Sequence, residues 1–413
     1  MKRLAAVIAF LAFALMPASA WAHAQLMSTT PAANATVKTE PKLVTFSFGE
    51  SVGGTADSVR VYDSSGARVD LGDARHPHGD SKVYGVSLKP HLPHGTYTAT
   101  YRVVSADTHV VTGGSSFSIG APSAAGGASV DKLLAGQKSG TATTYAFVVT
   151  RAVQYAAIAI GVGGLAFLLL VWLPALRGIE GARSAYGVAL RRARVLVRVA
   201  AIAGVVSGLF AIALEGAETA GKSLPQALGG GALGHVLSTR FGVVWLVASV
   251  LWLLVIFVAP AVLGGARPAT RGRLALVTAP LTILVALPAL AGHAGVEHPV
   301  WLFLPANVVH VGAMTLWLGG LVALLYIVPA ATRQLSGGDR TELLARSVGR
   351  FSPLALASVG ALLATGIVQS LVEIDAWAEL TQTAYGRAVL IKIGLLAVLI
   401  CLGALNRQRT VPR

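Results

Sequence analysis

Two hydrophobic patterns divide this chain. Short runs in which apolar and polar positions alternate occupy residues 23 to about 119, and long apolar blocks follow from about residue 145. In the first region Lys42 to Phe48, Ser58 to Tyr62 and Lys82 to Leu88 have the composition of strands. The clearest alternation sets Tyr97, Ala99, Tyr101 and Val103 on one face and Thr96, Thr98, Thr100 and Arg102 on the other. Asp63-Ser64-Ser65-Gly66, Pro90 and Pro93-His94-Gly95 punctuate the runs as turns. Several short strands over roughly a hundred residues predict a small sandwich or Greek-key barrel.

The apolar blocks predict an all-α bundle of seven spans, at 146–175, 192–215, 241–262, 272–291, 303–328, 350–372 and 387–406. Each is long enough, or nearly so, to cross a hydrocarbon core of about 30 Å. Between the two regions, Gly120 to Gly127 has a linker's composition. The expected organisation is a signal peptide at 1–22, a β domain at 23–119, a linker at 120–144 and a polytopic membrane domain at 145–413.

Composition agrees with this division. The 413 residues are 54% hydrophobic and 12% charged, too apolar for one soluble domain. The net charge of +15 is explained by where the arginines fall. Arg177, Arg191, Arg192 and Arg194 lie in the first connection, Arg267, Arg271 and Arg273 in the third, Arg333, Arg340, Arg346 and Arg350 in the fifth, and Arg407, Arg409 and Arg413 in the tail. All of these are on the side opposite the β domain. The positive-inside rule puts them and the C-terminus in the cytoplasm and the β domain outside the inner or plasma membrane. The basic balance therefore reports contact with an anionic lipid bilayer and no nucleic-acid partner. Gly161 to Gly164 and the glycine-rich stretch at 229–234 lack a following Gly-Lys-Ser/Thr, so they read as packing or loop glycines and nothing suggests an ATPase or other enzyme. Cys401 is the single cysteine, which excludes a disulfide framework or a cysteine metal cluster within one chain.

Metal chemistry enters at the N-terminus. Met1-Lys2-Arg3, an apolar run through Met16 and Ala20-Trp21-Ala22 follow the order of a secretory signal peptide. Cleavage after Ala22 would leave His23 with a free α-amine, and amine plus imidazole Nδ1 form a chelate suited to Cu(II). The alternative is an incidental histidine on a terminus that frays. Asp107 and His109 are two apart, so in an extended segment they share a face and offer a carboxylate oxygen beside an imidazole nitrogen. Together with His23 they make a tetragonal Cu(II) set; the alternative is a polar hairpin edge. His76, His78, His91 and His94 read as exposed loop or turn histidines.

At this point the first region resembles the periplasmic copper-binding CopC family, on His23 to Ala35, Val44 to Glu50 and Val104 to His109. The resemblance implies a cupredoxin-like β-barrel that binds Cu(II) through His23, Asp107 and His109, with Glu50 as an acidic neighbour of the site. Met27 is the only methionine between His23 and the membrane region, so the Cu(I) site of methionine-rich family members is not expected.

In the membrane half, His293 and His298 fall at the outer end of the fourth span, and His310 and Met314 lie one helical turn apart in the fifth. Residues at i and i+4 share a helix face, so an imidazole and a thioether can line one path, and the thioether points to Cu(I). A structural hydrogen bond is the other reading of His310, and packing that of Met314. His235, Glu215, Glu373 and Asp375 are placed near the outer face, where the carboxylates can attract copper ions and ordinary solvated helix ends explain them equally well; Trp245 and Trp252 read as packing or interface anchors. This half resembles the CopD family of integral membrane copper proteins, on Gly292 to Ala294, His310 to Gly320, Arg350 to Ser352, Thr383 to Arg387 and Gly403 to Arg407. Members commonly have eight spans, one more than counted here.

The two resemblances together imply a CopC–CopD fusion for copper resistance or uptake. The expected mechanism is capture of Cu(II) by the outer domain, hand-off toward His293 and His298, and passage past His310 into the cytoplasm. Use of Met314 requires reduction to Cu(I), and the sequence identifies neither an electron donor nor a copper chaperone. The competing readings are a membrane copper sensor or buffer, and a haem or copper redox protein, since paired histidines in a membrane also ligate haem.

Overall fold

The computed structural model describes residues 25–105, 110–124, 126–135, 140–179, 182–221, 223–228, 232–264, 271–295, 299–333, 335–373, 378–382 and 384–410. Its N-terminal part is a sandwich of two sheets. β1 (Leu26–Thr30), β3 (Leu43–Phe48) and β6 (Val83–Ser87) form one, in the order β1-β3-β6. β2 (Thr36–Val37), β8 (Val110–Ile119), β7 (Gly95–Ser105) and β4 (Val52–Gly53) form the other in that order, with β5 (Val59–Tyr62) also paired to β7. From β1 to β4 and from β5 to β7 the chain crosses between the sheets, the crossing connectivity that a Greek-key reading expects, and β7 returns directly into β8.

β3 buries every second residue, Val44, Phe46 and Phe48, against Tyr97, Ala99, Tyr101 and Val103 of β7. The Phe46 and Tyr101 rings lie 4.8 Å apart, tilted, and Phe48 meets Tyr101 edge-on at 5.2 Å. Asp63 shapes the turn after β5: its Oδ1 accepts from the backbone N–H groups of Ser65 and Ala67 and from the Ser65 hydroxyl, and Gly66 takes the left-handed backbone at φ 85°.

The polar face of β7 departs from the simple pattern. Thr98 and Thr100 are each 1% exposed, although a half-buried strand would leave them in water. The stretch after β8 covers them. Ser123 and Thr96 exchange backbone-to-hydroxyl bonds at 2.8 and 2.9 Å, and the Thr98 hydroxyl donates to Ala128 O at 2.8 Å. Beyond these, the short helix Val130–Ala135 packs against β7 and β8. Composition suggested a loose linker here; hydroxyl-to-backbone bonds fasten its first part to the sheet.

Seven helices are long and apolar enough to cross a membrane: Thr141–Ala175, Arg183–Ala220, Arg240–Leu263, Gly272–Ala291, Val300–Ala331, Gly337–Leu371 and Gly386–Gly403, called here the first to seventh spans. The described residues thus hold seven spans, as the apolar blocks predict. The first span sits centrally, packing on the second and fifth. A Cβ on Gly163 would fall 2.1 Å from Thr315 O, and one on Gly319 1.9 Å from Ala159 O, so these backbones touch. Two π-helical stretches, Ala159–Gly163 and Leu168–Trp172, interrupt the first span at and below this crossing. Burial falls toward the C-terminus, from 61% of the first span's apolar window to 17% in the sixth and 6% in the seventh.

Candidate copper sites

His23, Asp107 and His109 lie outside the described residues, yet the structure fixes where the chain leaves on either side of them. Gly49 N donates to Gln25 O at 2.9 Å, two residues after His23. Val52 pairs with Ser105, the last described residue before Asp107, and Val104 pairs with Val110, just after His109. Both stretches that carry the expected ligands therefore depart from one corner of the sandwich, the segment from Gly49 to Val52. Glu50 lies in this segment and is half-buried. Met27 sits at a register shift between Leu26 and Ser28 and is 68% exposed, with its sulfur 3.9 Å from where a Cβ on Gly49 would lie.

The other histidines of this domain serve its turns. His76 Nδ1 lies 3.0 Å from Asp80 O and 2.8 Å from Val83 O, which makes it a donor to backbone, and its ring packs edge-on to Tyr84 at 4.7 Å. His78 and His91 adopt left-handed backbone, with φ of 55° and 61°. The Glu40 carboxylate accepts from the N–H groups of His91 and Leu92, both at 3.2 Å. His94 packs beneath Gly120, where a Cβ would come within 2.5 Å of its Cγ.

In the membrane half, His310 Nδ1 meets Thr365 Oγ1 at 2.9 Å. The Thr365 hydroxyl donates to Ala361 O at 2.6 Å, one turn back on the sixth span. Its single proton is thus spent on that carbonyl, and the oxygen accepts from His310 Nδ1–H. In that arrangement His310 is protonated at Nδ1 and its Nε2 carries the lone pair, the form that ligates a metal. One turn outward, Asn307 donates to Gln369 Oε1 at 3.4 Å, so two polar rungs join the fifth and sixth spans. Met314 follows one turn inward of His310, half-buried. Lys392 of the seventh span acts electrostatically on His310. Asn307, Thr365, Gln369 and Lys392 were not singled out in the sequence; isolated polar residues in apolar blocks were the available signal.

His293 lies in the turn His293–Gly295, which Arg240 holds by donating to Gly292 O at 3.0 Å and Gly295 O at 3.1 Å. His298 and Asp375 lie outside the described residues, as do the side chains of His293, His235 and Glu373. Among the described residues no three His, Cys, Asp or Glu side chains come together as a metal cage. His310 is thus a single imidazole in a polar seam, seven residues or about 10 Å along the fifth span from Phe303 at the buried end beside the His293 turn.

A second polar seam joins the first and second spans in the halves nearer the β domain. Thr143, Thr150, Gln154, Ser207, Glu215 and Thr219 are all buried there. With its amide oriented to suit its neighbours, Gln154 accepts from Trp252 Nε1 at 3.2 Å and donates to Gly204 O and the Ser207 hydroxyl. Trp252 is fully buried, so of the two roles expected for it, core packing is the one it plays. Where this seam opens outward, Arg102 of β7 donates to the backbone carbonyl of Glu218. Burial presses the Arg102 pKa down from its ordinary value, and the Glu218 charge opposes that shift.

Comparison with known proteins places names beside this geometry. Residues 26–120 match the CopC domain, 142–302 the copper resistance protein D-like N-terminal domain, and 345–413 copper resistance protein D. The chain is 30% identical over 406 residues to the copper transport protein CutJ of Bacillus subtilis (strain 168), covering 97% of this chain and 70% of that protein. It is 32% identical over 123 residues to copper resistance protein C of Xanthomonas campestris pv. juglandis, covering 29% of this chain and 96% of that protein. The crystal structure of CopC from Methylosinus trichosporium OB3b is 31% identical, covers 24% of this chain and 95% of that chain, and aligns with a TM-score of 0.22.

Proposed function

This chain belongs to the family of fused CopC and CopD copper transport and resistance proteins, and from that premise we propose that it captures Cu(II) outside the membrane and passes copper inward through its seven-span bundle. The observation that carries the reading is the Thr365–His310 pair, which keeps an imidazole lone pair available inside a span.

In this reading the terminal amine and ring of His23, with Asp107 and His109, form the outer site, and Glu50 beside them sets its charge. The common corner from Gly49 to Val52 supports this, because it brings both ligand-bearing stretches to one place. Copper then reaches the outer ends of the spans, where His293 and His298 receive it, and passes His310 and Met314. The β domain faces outward and the arginine-rich connections and C-terminus face the cytoplasm. Against the haem reading, His310 is the one histidine within the described spans, and bis-imidazole ligation would need a second there.

The test is initial copper uptake, at limiting external copper, by cells with matched membrane levels of the intact chain, the triple variant H23A/D107A/H109A and H310A. Both variants should take up at least tenfold less, with H310A still binding copper at the outer domain. Equal accumulation in all three would overturn transport in favour of sensing, and lower copper with the intact chain would mean export.

A further inference from the structure

Arg102 stands on β7, three residues before the strand ends at Ser105, and is only 7% exposed. Its guanidinium reaches out of the sandwich. Nε donates to Glu218 O at 3.0 Å and Nη2 donates to the same oxygen, across 116 positions of sequence. Glu218 is in the last turn of the second span, where carbonyls lack an intrahelical partner and the helix dipole is negative. Gly221 N also donates to this oxygen, at 3.2 Å. A buried cation on a strand, aimed at the half-buried end of a transmembrane helix, differs from a surface arginine in that its own side chain is largely shielded from water.

The position along β7 gives the contact a direction. From Arg102 to Ser105 the strand rises about 10 Å, and Asp107 and His109 follow at once. The end of the sandwich that carries the expected copper ligands is therefore the end nearest the membrane half. Glu215 lies one turn back from Glu218 on the second span and is 3% exposed, and the hydroxyl of Thr219, 4% exposed and next to Glu218 in sequence, donates to Glu215 O at 2.7 Å.

We infer that Arg102 is a positioning residue that docks the outer domain on the end of the second span, so that copper leaves the domain over the seam between the first and second spans, with Glu215 the first carboxylate inward. This rests on the outer copper site proposed above. The docking itself is separable from that site. A side chain serving only to fill space would be replaced well by methionine, whereas a dock made of two hydrogen bonds to a carbonyl would not.

The test uses the full chain in membranes, with Cys401 replaced by serine and cysteines introduced by T112C and E218C. Thr112 is exposed and pairs with Arg102 across β7 and β8, so Arg102 stays in place, and E218C leaves the Glu218 carbonyl intact. A bis-maleimide of about 10 Å span should join the two cysteines in high yield, since Thr112 lies about 5 Å across the ladder from Arg102, whose guanidinium bonds Glu218 O. Adding R102M should lower that yield at least fivefold, and R102K should restore part of it. In the chain with native cysteines and otherwise unchanged, R102M should leave Cu(II) bound per protein unaltered while lowering initial copper uptake at least fivefold. No cross-link with Arg102 present, a yield indifferent to R102M, or joint loss of Cu(II) binding and uptake would overturn the proposal. A cross-link that depends on Arg102 in a protein that moves no copper would retain the dock and refute the transport reading.

Discussion

The sandwich and the bundle solve opposite packing problems. In the sandwich, water drives large side chains together: Phe46, Tyr97, Val103 and Phe117 are almost wholly buried, and the sheets stand apart by the width of those rings. In the bundle, lipid is as apolar as the side chains, so burial of rings brings little and backbones must approach directly. Gly163 and Gly319 make that approach between the first and fifth spans. The two regions also place polar groups differently. The sandwich uses them to shape turns and fasten the strap over β7, whereas in the bundle the side-chain bonds between helices run along seams, one between the first and second spans and one between the fifth and sixth, and other hydroxyls bond back to their own helix.

The strongest way to break this contrast is from the sandwich side. Phe46→Ala should cost about 3–5 kcal/mol, because it empties the centre between the sheets. Denaturant melts of the purified full chain, followed by loss of Cu(II) binding, should show the shift while helical content persists. The converse variant, Gly163→Ala, adds one methyl where the nearest atom is a backbone oxygen that cannot swing aside. It should cost about 1–3 kcal/mol in the bundle, seen as a lower melting temperature in detergent, and leave Cu(II) binding outside unchanged.

A third variant sharpens the role of the polar seams. Thr365→Val removes the acceptor of His310 Nδ1–H and should lower initial copper uptake about tenfold, while Thr365→Ser should retain it, with membrane levels matched. The smallest effect is expected at Asp63, whose carboxyl is held below the usual carboxylate range by the Ser65 hydroxyl first and then, against the opposing effect of burial, by the N–H groups of Ala67, Ser65 and Gly66. A carboxyl depressed by folding stabilises above its unfolded pKa and loses that contribution as pH falls through the folded value. Asp63→Ala should therefore cost roughly 0.5 kcal/mol at pH 7 after solvent screening, and progressively less in melts as the pH falls below the ordinary carboxylate range.

Much of the architecture was legible in one sequence because it follows from periodicity. The alternation from Tyr97 to Val103 reported a strand facing a core, and seven apolar blocks reported seven spans. What the pattern did not contain was coverage from elsewhere. Thr98 and Thr100 read as a solvent face, and their burial depends on Ser123, Ala128 and the short helix that follow later in the chain. The inner polar seam was half legible. His310 and Met314 share a face by spacing alone, but the partner that orients His310 is Thr365, 55 residues on and on another helix, which no local pattern connects. The expected outer ligands remain proposals; the shared corner is the structural argument for them. Arg102 was seen only as a member of the polar face of β7, because its partner is a backbone carbonyl, and carbonyls leave no trace in a sequence.

The strap over β7 has a further consequence, for search. Were residues 120–140 all free, these 21 residues could span at most about 75 Å; with the chain fastened through Ala135, the six steps to Thr141 span at most about 21 Å. The volume that an undocked domain can explore shrinks with the cube of that ratio, roughly forty-fold. A released domain thus stays on a short leash above its own mouth, and re-docking becomes an intramolecular return at high effective concentration rather than a diffusive encounter.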